Sequence, residues 1–267
     1  MKLFADTFAW LSDGANWSGP EGLWHLLVQQ LLLTFTALGI AMVIALPVAL
    51  WLGHLGRAGF LAINVAGVGR AVPTFAVLAL LVMFDPIGTD TLGPYGRAGL
   101  ATLIALALFG LPPLVTNAHV GVSQVPADVR DAADGMGMSG WQKFRSVELP
   151  LALPLVAAGV RLSLVQIWAT ATIAALVSGP GLGNVIASGF FNGNYPKGLG
   201  GAIVVAVVAL ILEVGAAMLQ RAVSTTERPD TRGTAPRDTE GGIDATTTDP
   251  DGGNTDALPG GGHGLRR

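Results

Sequence analysis

The sequence predicts an all-α polytopic membrane protein, and three observations carry that prediction. Hydrophobic residues fill 51% of the 267 positions and charged residues only 12%, half the share of roughly 25% usual in soluble domains. The mean hydropathy of +0.56 is too high for a soluble fold. The few charges also avoid five apolar stretches, each close to the ~20 residues a helix needs to cross a bilayer core. An ordinary soluble enzyme is excluded. The chain has no Cys, so it has no disulfide framework, thiolate metal site or Cys nucleophile. Its net charge is −3, with no basic cluster beyond Arg266-Arg267, so nothing points to a nucleic-acid partner.

Taken in order, residues 1–22 form an N-terminal segment that is not a cleavable signal peptide. Asp6 and Asp13 interrupt it, and its apolar run from Thr7 to Leu11 is too short. Leu3, Phe4, Phe8 and Leu11 share one helical face, which suits a short helix lying in the interface; a frayed terminus is the alternative. The transmembrane region covers 23–223, with about five transmembrane helices expected at 23–52, 60–84, 98–118, 151–178 and 199–223. From Ser224 onward the composition changes, to nine Gly, nine Thr, four Pro and eight acidic residues. Such a tail, 224–267, cannot bury a core and is expected to be disordered.

The 15 Lys and Arg residues set the orientation. Ten lie on one side: Arg57, Arg130, Lys143, Arg145, Arg221, Arg228, Arg232, Arg237, Arg266 and Arg267. Only three, Lys2, Arg97 and Lys197, lie on the other. The positive-inside rule then places the N-terminus outside and the C-terminus in the cytoplasm. Without the residues beyond Arg221 the ratio is five to three, in the same sense.

The cytoplasmic loop 121–150 does not fit a passive bundle, because ordered loops of this length are usually functional. After Pro126 it opens as a helix with acidic first turns. Small Ala132 and Ala133 beside Met136 make that helix slim enough for a partner's groove. Gly137 permits a sharp change of direction. A second helix is expected from about residue 139 to Leu149-Pro150.

The pattern Asp131-Ala132-Ala133, then Gly137, Val147 and Leu149-Pro150, resembles the EAA signature of ABC-importer permeases. Asp131 stands where that family usually has Glu, which keeps the charge but shortens the reach. Further stretches resemble the family's osmoprotectant branch, over roughly residues 25–220: Gly137-Met138-Ser139-Gly140-Trp141-Gln142, Val147-Glu148-Leu149-Pro150-Leu151-Ala152-Leu153-Pro154, Ala158-Gly159-Val160-Arg161 and Ala169-Thr170-Ala171-Thr172-Ile173-Ala174-Ala175-Leu176. Gly179-Pro180-Gly181-Leu182-Gly183 is similar too, with Pro180 as its departure.

The resemblance implies a multi-pass permease of the plasma or inner membrane, with a cytoplasmic coupling helix. Asp131, Ala132, Ala133, Gly137, Leu149 and Pro150 would be its ATPase-coupling residues. The implied partners are an ATP-binding ABC subunit, a second permease subunit (the same or homologous), an extracytoplasmic substrate-binding protein and membrane lipid. The implied cargo is glycine betaine, choline, carnitine or proline; methionine or another amino acid is the alternative. No G-x-x-x-x-G-K-[ST] phosphate loop occurs in the chain. No cofactor is therefore expected here, and ATP and Mg would belong to the partner ATPase. An ion-gradient-driven secondary transporter would show an internal repeat and more intramembrane carboxylates.

Three ionisable residues fall within expected spans, Arg70, Arg161 and Glu213, and intramembrane charge is a functional hypothesis by default. Glu213 is expected to pair with Arg161 or Arg70; independent snorkelling of each Arg is the alternative. Pro73, Pro112-Pro113 and Pro154 are expected to break helices along a pathway. Asn117, Gln166, Thr170 and Thr172 are the pathway candidates, with helix-to-helix hydrogen bonding as the alternative role. Trp24 and Trp51 read as interfacial anchors. Trp168 alone lies deep in a span, too few rings to cage a quaternary ammonium. His25, His54, His119 and His263 lack ligand spacing, and no acid–base pair or triad is credible, so no metal or catalytic residue is assigned.

Overall fold

In the computed structural model the described residues are 2–56, 73–84 and 93–224. The expected tail beyond Ser224, Arg70 and most of the expected span at 60–84 lie outside them. The chain divides into two units, residues 1–228 and 229–267, and every described residue belongs to the first.

The described elements are helical: α1 (Lys2–Ser12), α2 (Leu23–His54), α3 (Thr74–Met83), α4 (Gly99–Ser123), α5 (Ala127–Gly135), α6 (Gly140–Lys143), α7 (Leu149–Ala174), α8 (Gly183–Phe191) and α9 (Tyr195–Ser224). A single π-helical turn, Phe144–Glu148, joins α6 to α7. Four continuous helices among the described residues are long and apolar enough to cross a membrane: Leu23–His54, Gly99–Ser123, Gly140–Val177 and Tyr195–Ser224. α3 is a shorter apolar helix of 10 residues. The fourth expected span therefore starts earlier than composition suggested. The second loop helix, α6, runs on into that span through the π turn.

Pro73 precedes the start of α3, but the prolines inside the long helices behave differently from expectation. α2 runs through Pro47, α4 through Pro112 and Pro113, and α7 through Pro154 without a break. Neighbouring side chains take up carbonyls near them, as membrane helices allow. Asn117 Nδ2 donates to the Pro113 carbonyl at 2.8 Å, and Ser163 Oγ donates to the Gly110 carbonyl at 2.6 Å.

α2, α4 and α7 form the central packing unit. Leu33, Ala37, Leu38, Leu103, Leu106, Leu164, Ile167 and Ala171 make its middle. Small residues let the backbones approach where the three helices near the loop, as small residues do at membrane interfaces. A Cβ on Gly53 of α2 would lie 2.9 Å from Val122 Cβ of α4. One on Gly121 of α4 would lie 3.1 Å from the Ala152 carbonyl of α7. α9 packs on α7 and α8 but leaves Val207, Leu210, Ile211, Val214, Met218 and Leu219 exposed. That surface suits lipid. α1 packs on α9 with Thr7 buried, while Leu3, Phe4 and Phe8 face outward.

Candidate functional site

Each short element of the loop between α4 and α7 is ended by a residue with a physical reason to end it. α5 starts after Pro126 and carries Asp128 in its first turn, where a carboxylate complements the positive helix end. It closes in a Schellman turn. Gly137 adopts φ +76°, the Met138 N–H donates to the Ala133 carbonyl at 3.2 Å, and the Gly137 N–H donates to the Asp134 carbonyl at 2.9 Å. A side chain at 137 would be strained in that region. Ser139 and Gln142 then form a reciprocal capping box that starts α6. Lys143 Nζ lies 2.8 Å from both carboxylate oxygens of Asp134, tying the last turn of α5 to α6.

α5 has two faces. Ala133 is buried, with Val129 and Arg130 half-buried beside it, while Asp131, Ala132 and Met136 are exposed. Met136 and Trp141 expose more than half their surface, 68% and 61%. Large apolar side chains standing in the open beside carboxylates fit a docking surface. Leu149 and Pro150 are half-buried in the first turn of α7, directly after the π turn. Proline lacks an N–H and its ring crowds the carbonyl four residues back, here that of Ser146. The wide turn relieves that crowding, with the Leu149 N–H donating to the Phe144 carbonyl instead.

Sequence reasoning missed the residue at the centre of this loop. Glu148 lies between the signature's Val147 and Leu149 and is 1% exposed. Its Oε2 accepts from His54 Nδ1 at 2.5 Å. Its Oε1 faces Arg130 Nε at 3.3 Å, an ion pair that falls short of a straight hydrogen bond. Arg130 also donates to the Val122 carbonyl at 2.5 Å, satisfying an orphan acceptor in the last turn of α4. Phe144, Val122 and Ala152 close over the cluster, and the Phe144 ring meets His54 edge-on at 5.4 Å. No sequence signal joins His54 to Glu148, 94 positions apart.

The pathway candidates do not converge. Thr170 is buried and donates to the Gln166 carbonyl of its own helix at 2.8 Å. Thr172 accepts from Gln30 Nε2 at 3.0 Å. Asn117 sits against Gly159, where a Cβ would come within 2.8 Å of Asn117 Cβ. Gln166 alone is exposed, on an outward stripe of α7 with Leu162, Ala169 and Ile173. Gln30, which composition did not single out, is fully buried and also accepts from the Leu182 N–H at 2.8 Å. It thus latches α2 to the turn after α7. At that end a cavity of about 580 Å³ is lined by Glu21, Asn184, Ser188, Phe191 and Lys197, among others, and by none of the four candidates.

Of the expected intramembrane charges, Arg161 and Glu213 meet across α7 and α9. Arg161 Nε donates to Glu213 Oε1 at 2.8 Å, its second terminal nitrogen also reaches Oε1, and the first reaches Gln220 Oε1 at 3.3 Å. Arg70 lies outside the described residues. Among the described residues no cluster of His, Asp or Glu could hold a metal ion.

The chain's similarities agree with this architecture. It is 33% identical to the osmoprotectant import permease protein OsmY of Salmonella typhimurium, over 73% of this chain and 80% of the relative. It is 32% identical to the carnitine transport permease protein OpuCB of Listeria monocytogenes, over 72% and 84%. Among solved structures, inward-facing conformations of the MetNI methionine ABC transporter share the fold. The TM-score is 0.64 at 19% identity, covering 77% of this chain and 99% of that one. The family model described as binding-protein-dependent transport system inner membrane component matches residues 37–225. With spans, loop and match in agreement, the chain belongs to that family of membrane permeases.

Proposed function

We propose that this chain is the transmembrane permease subunit of an ATP-driven ABC importer for a compatible solute such as glycine betaine, choline, carnitine or proline. The coupling loop carries the reading. α5 is a short helix held from behind through Ala133 and bare on its Asp131, Ala132 and Met136 face, as docking into a groove requires. The solute class is supported by relatives named for osmoprotectant import and carnitine transport; the methionine transporter's likeness concerns fold alone.

ATP and Mg belong to a separate ATPase, since this chain has no phosphate loop. Two permease subunits enclose the pathway and a binding protein delivers the solute from outside. The N-terminus lies outside and the loop and C-terminus in the cytoplasm, as the Lys and Arg distribution argues. Closure of two ATPases on ATP draws the coupling helices together and switches the pore between two stable states. Gln166, the polar group on the unpacked stripe of α7, faces the pathway between the subunits.

Uptake of radiolabelled glycine betaine, choline and methionine into vesicles loaded with ATP tests the proposal. The expected result is ATP-dependent uptake of glycine betaine or choline that survives collapse of ion gradients. Uptake abolished by collapsing the gradients, with ATP present, would overturn it.

A further inference from the structure

Glu148 takes no part in the signature spacing, yet it is the point where the elements of the coupling module meet. We infer that Glu148 is a positioning residue that makes the coupling helix and the ends of α2 and α4 move as one body. A push on α5 then reaches the spans through side chains, and not only along the chain. The inference rests on the importer reading above and names the device by which that loop would work.

Three observations support it. A carboxylate buried this deeply persists only when paired, and both oxygens of Glu148 are committed, to different elements. Oε2 takes the Nδ1–H of His54, the last residue of α2, at 2.5 Å. Oε1 forms an ion pair with Arg130 Nε of α5 at 3.3 Å, and Arg130 Nη2 donates to the Val122 carbonyl of α4 at 2.5 Å. Second, no short connection joins α2 to α5: their facing residues His54 and Arg130 are separated by more than seventy positions. Side chains are therefore the direct route between them. Third, Lys143 of α6 is already engaged, holding Asp134 at 2.8 Å, so it offers no substitute for Arg130.

A residue that only stabilised the fold would lower yield, and uptake and hydrolysis would fall together. A positioning residue separates them. The assembled importer (permease, ATPase and binding protein) in proteoliposomes would be assayed with Glu148→Gln and, separately, His54→Gln, following glycine betaine uptake and ATP hydrolysis together. The expected result is hydrolysis within about twofold of the unmodified complex. Uptake per ATP should fall roughly tenfold for Glu148→Gln and several-fold for His54→Gln, in the usual range of inter-site coupling. Unchanged uptake per ATP in a folded His54→Gln complex would overturn the inference, as would proportional loss of both rates.

A second measurement needs no change at Glu148. The chain has no cysteine, so spin labels at Leu55→Cys and Ala127→Cys report the distance between the end of α2 and the start of α5, with singly labelled complexes identifying any distances between subunits. That distance should be the same with and without ATP. A shift on ATP binding would show independent movement and overturn the inference. An unmodified complex without ATP-driven uptake would instead overturn the importer reading.

Discussion

Glu148 and Glu213 are both carboxylates paired with an arginine from another helix, yet their settings differ. The Glu148 side chain is 1% exposed and divides its oxygens between His54 and Arg130. The Glu213 side chain is 34% exposed and presents one oxygen to Arg161, which also reaches Gln220. An enclosed charge is strongly tied to its partners, because removing one leaves the others buried without compensation. The Arg161–Glu213 pair lies at the rim of the bundle, so its loss leaves no unpaired group inside the packing of α2, α4 and α7. The module at the loop is thus held in one arrangement, whereas the pair between α7 and α9 can loosen without disturbing the core.

Removing Glu148 should produce the largest effect of the variants considered. Glu148→Ala leaves His54 without its acceptor and Arg130 with only the Val122 carbonyl, and should lower stability by on the order of 3 kcal/mol, seen as a large drop in melting temperature in detergent. A drop no larger than that of Glu213→Ala would erase the contrast. Gln30→Leu comes next, since it leaves the buried Leu182 N–H without its acceptor and should cost roughly 1–3 kcal/mol. It sharpens the comparison by measuring what a neutral buried latch is worth at the other end of α7. Gly137→Val forces a branched residue to φ +76° and should cost roughly 1–2 kcal/mol. Protein should still reach the membrane while uptake is lost; retained uptake would count against the Schellman turn as part of the lever. The smallest effect belongs to Arg161→Gln and Glu213→Gln, singly and together. Their losses should be less than additive, and strict additivity would contradict an energetic link between them.

Much of the fold was legible because membrane spans announce themselves by length and apolarity. Helices at 23–52, 98–118 and 199–223 differ from the observed α2, α4 and α9 by a few residues, mostly at ends where the polar loop continues the helix. The loop was marked by a different signal, the spacing of Gly137 and Leu149-Pro150, and the structure puts a Schellman turn and a π turn at those positions. What composition could not reveal were relations between distant positions. His54 read as a histidine without ligand spacing, and Gln30, set in an apolar run, was not singled out. Each acquires meaning only through a partner more than ninety positions away. The prolines misled for the opposite reason, since a proline signals a break locally but packing around α4 and α7 preserves the helix. The partners of Thr170 and Thr172 were equally illegible: both donate within α7, and Thr172 also accepts from Gln30.

The central claim is that the exposed face of α5 seats an ATPase. Mild-detergent purification of the tagged chain from native membranes, with mass spectrometry of what accompanies it, tests this directly. The account predicts an ATP-binding subunit recovered with the unmodified chain and lost when Ala132 is replaced by a bulky residue on the exposed face. Recovery of a folded chain with no ATPase across several detergents would contradict it.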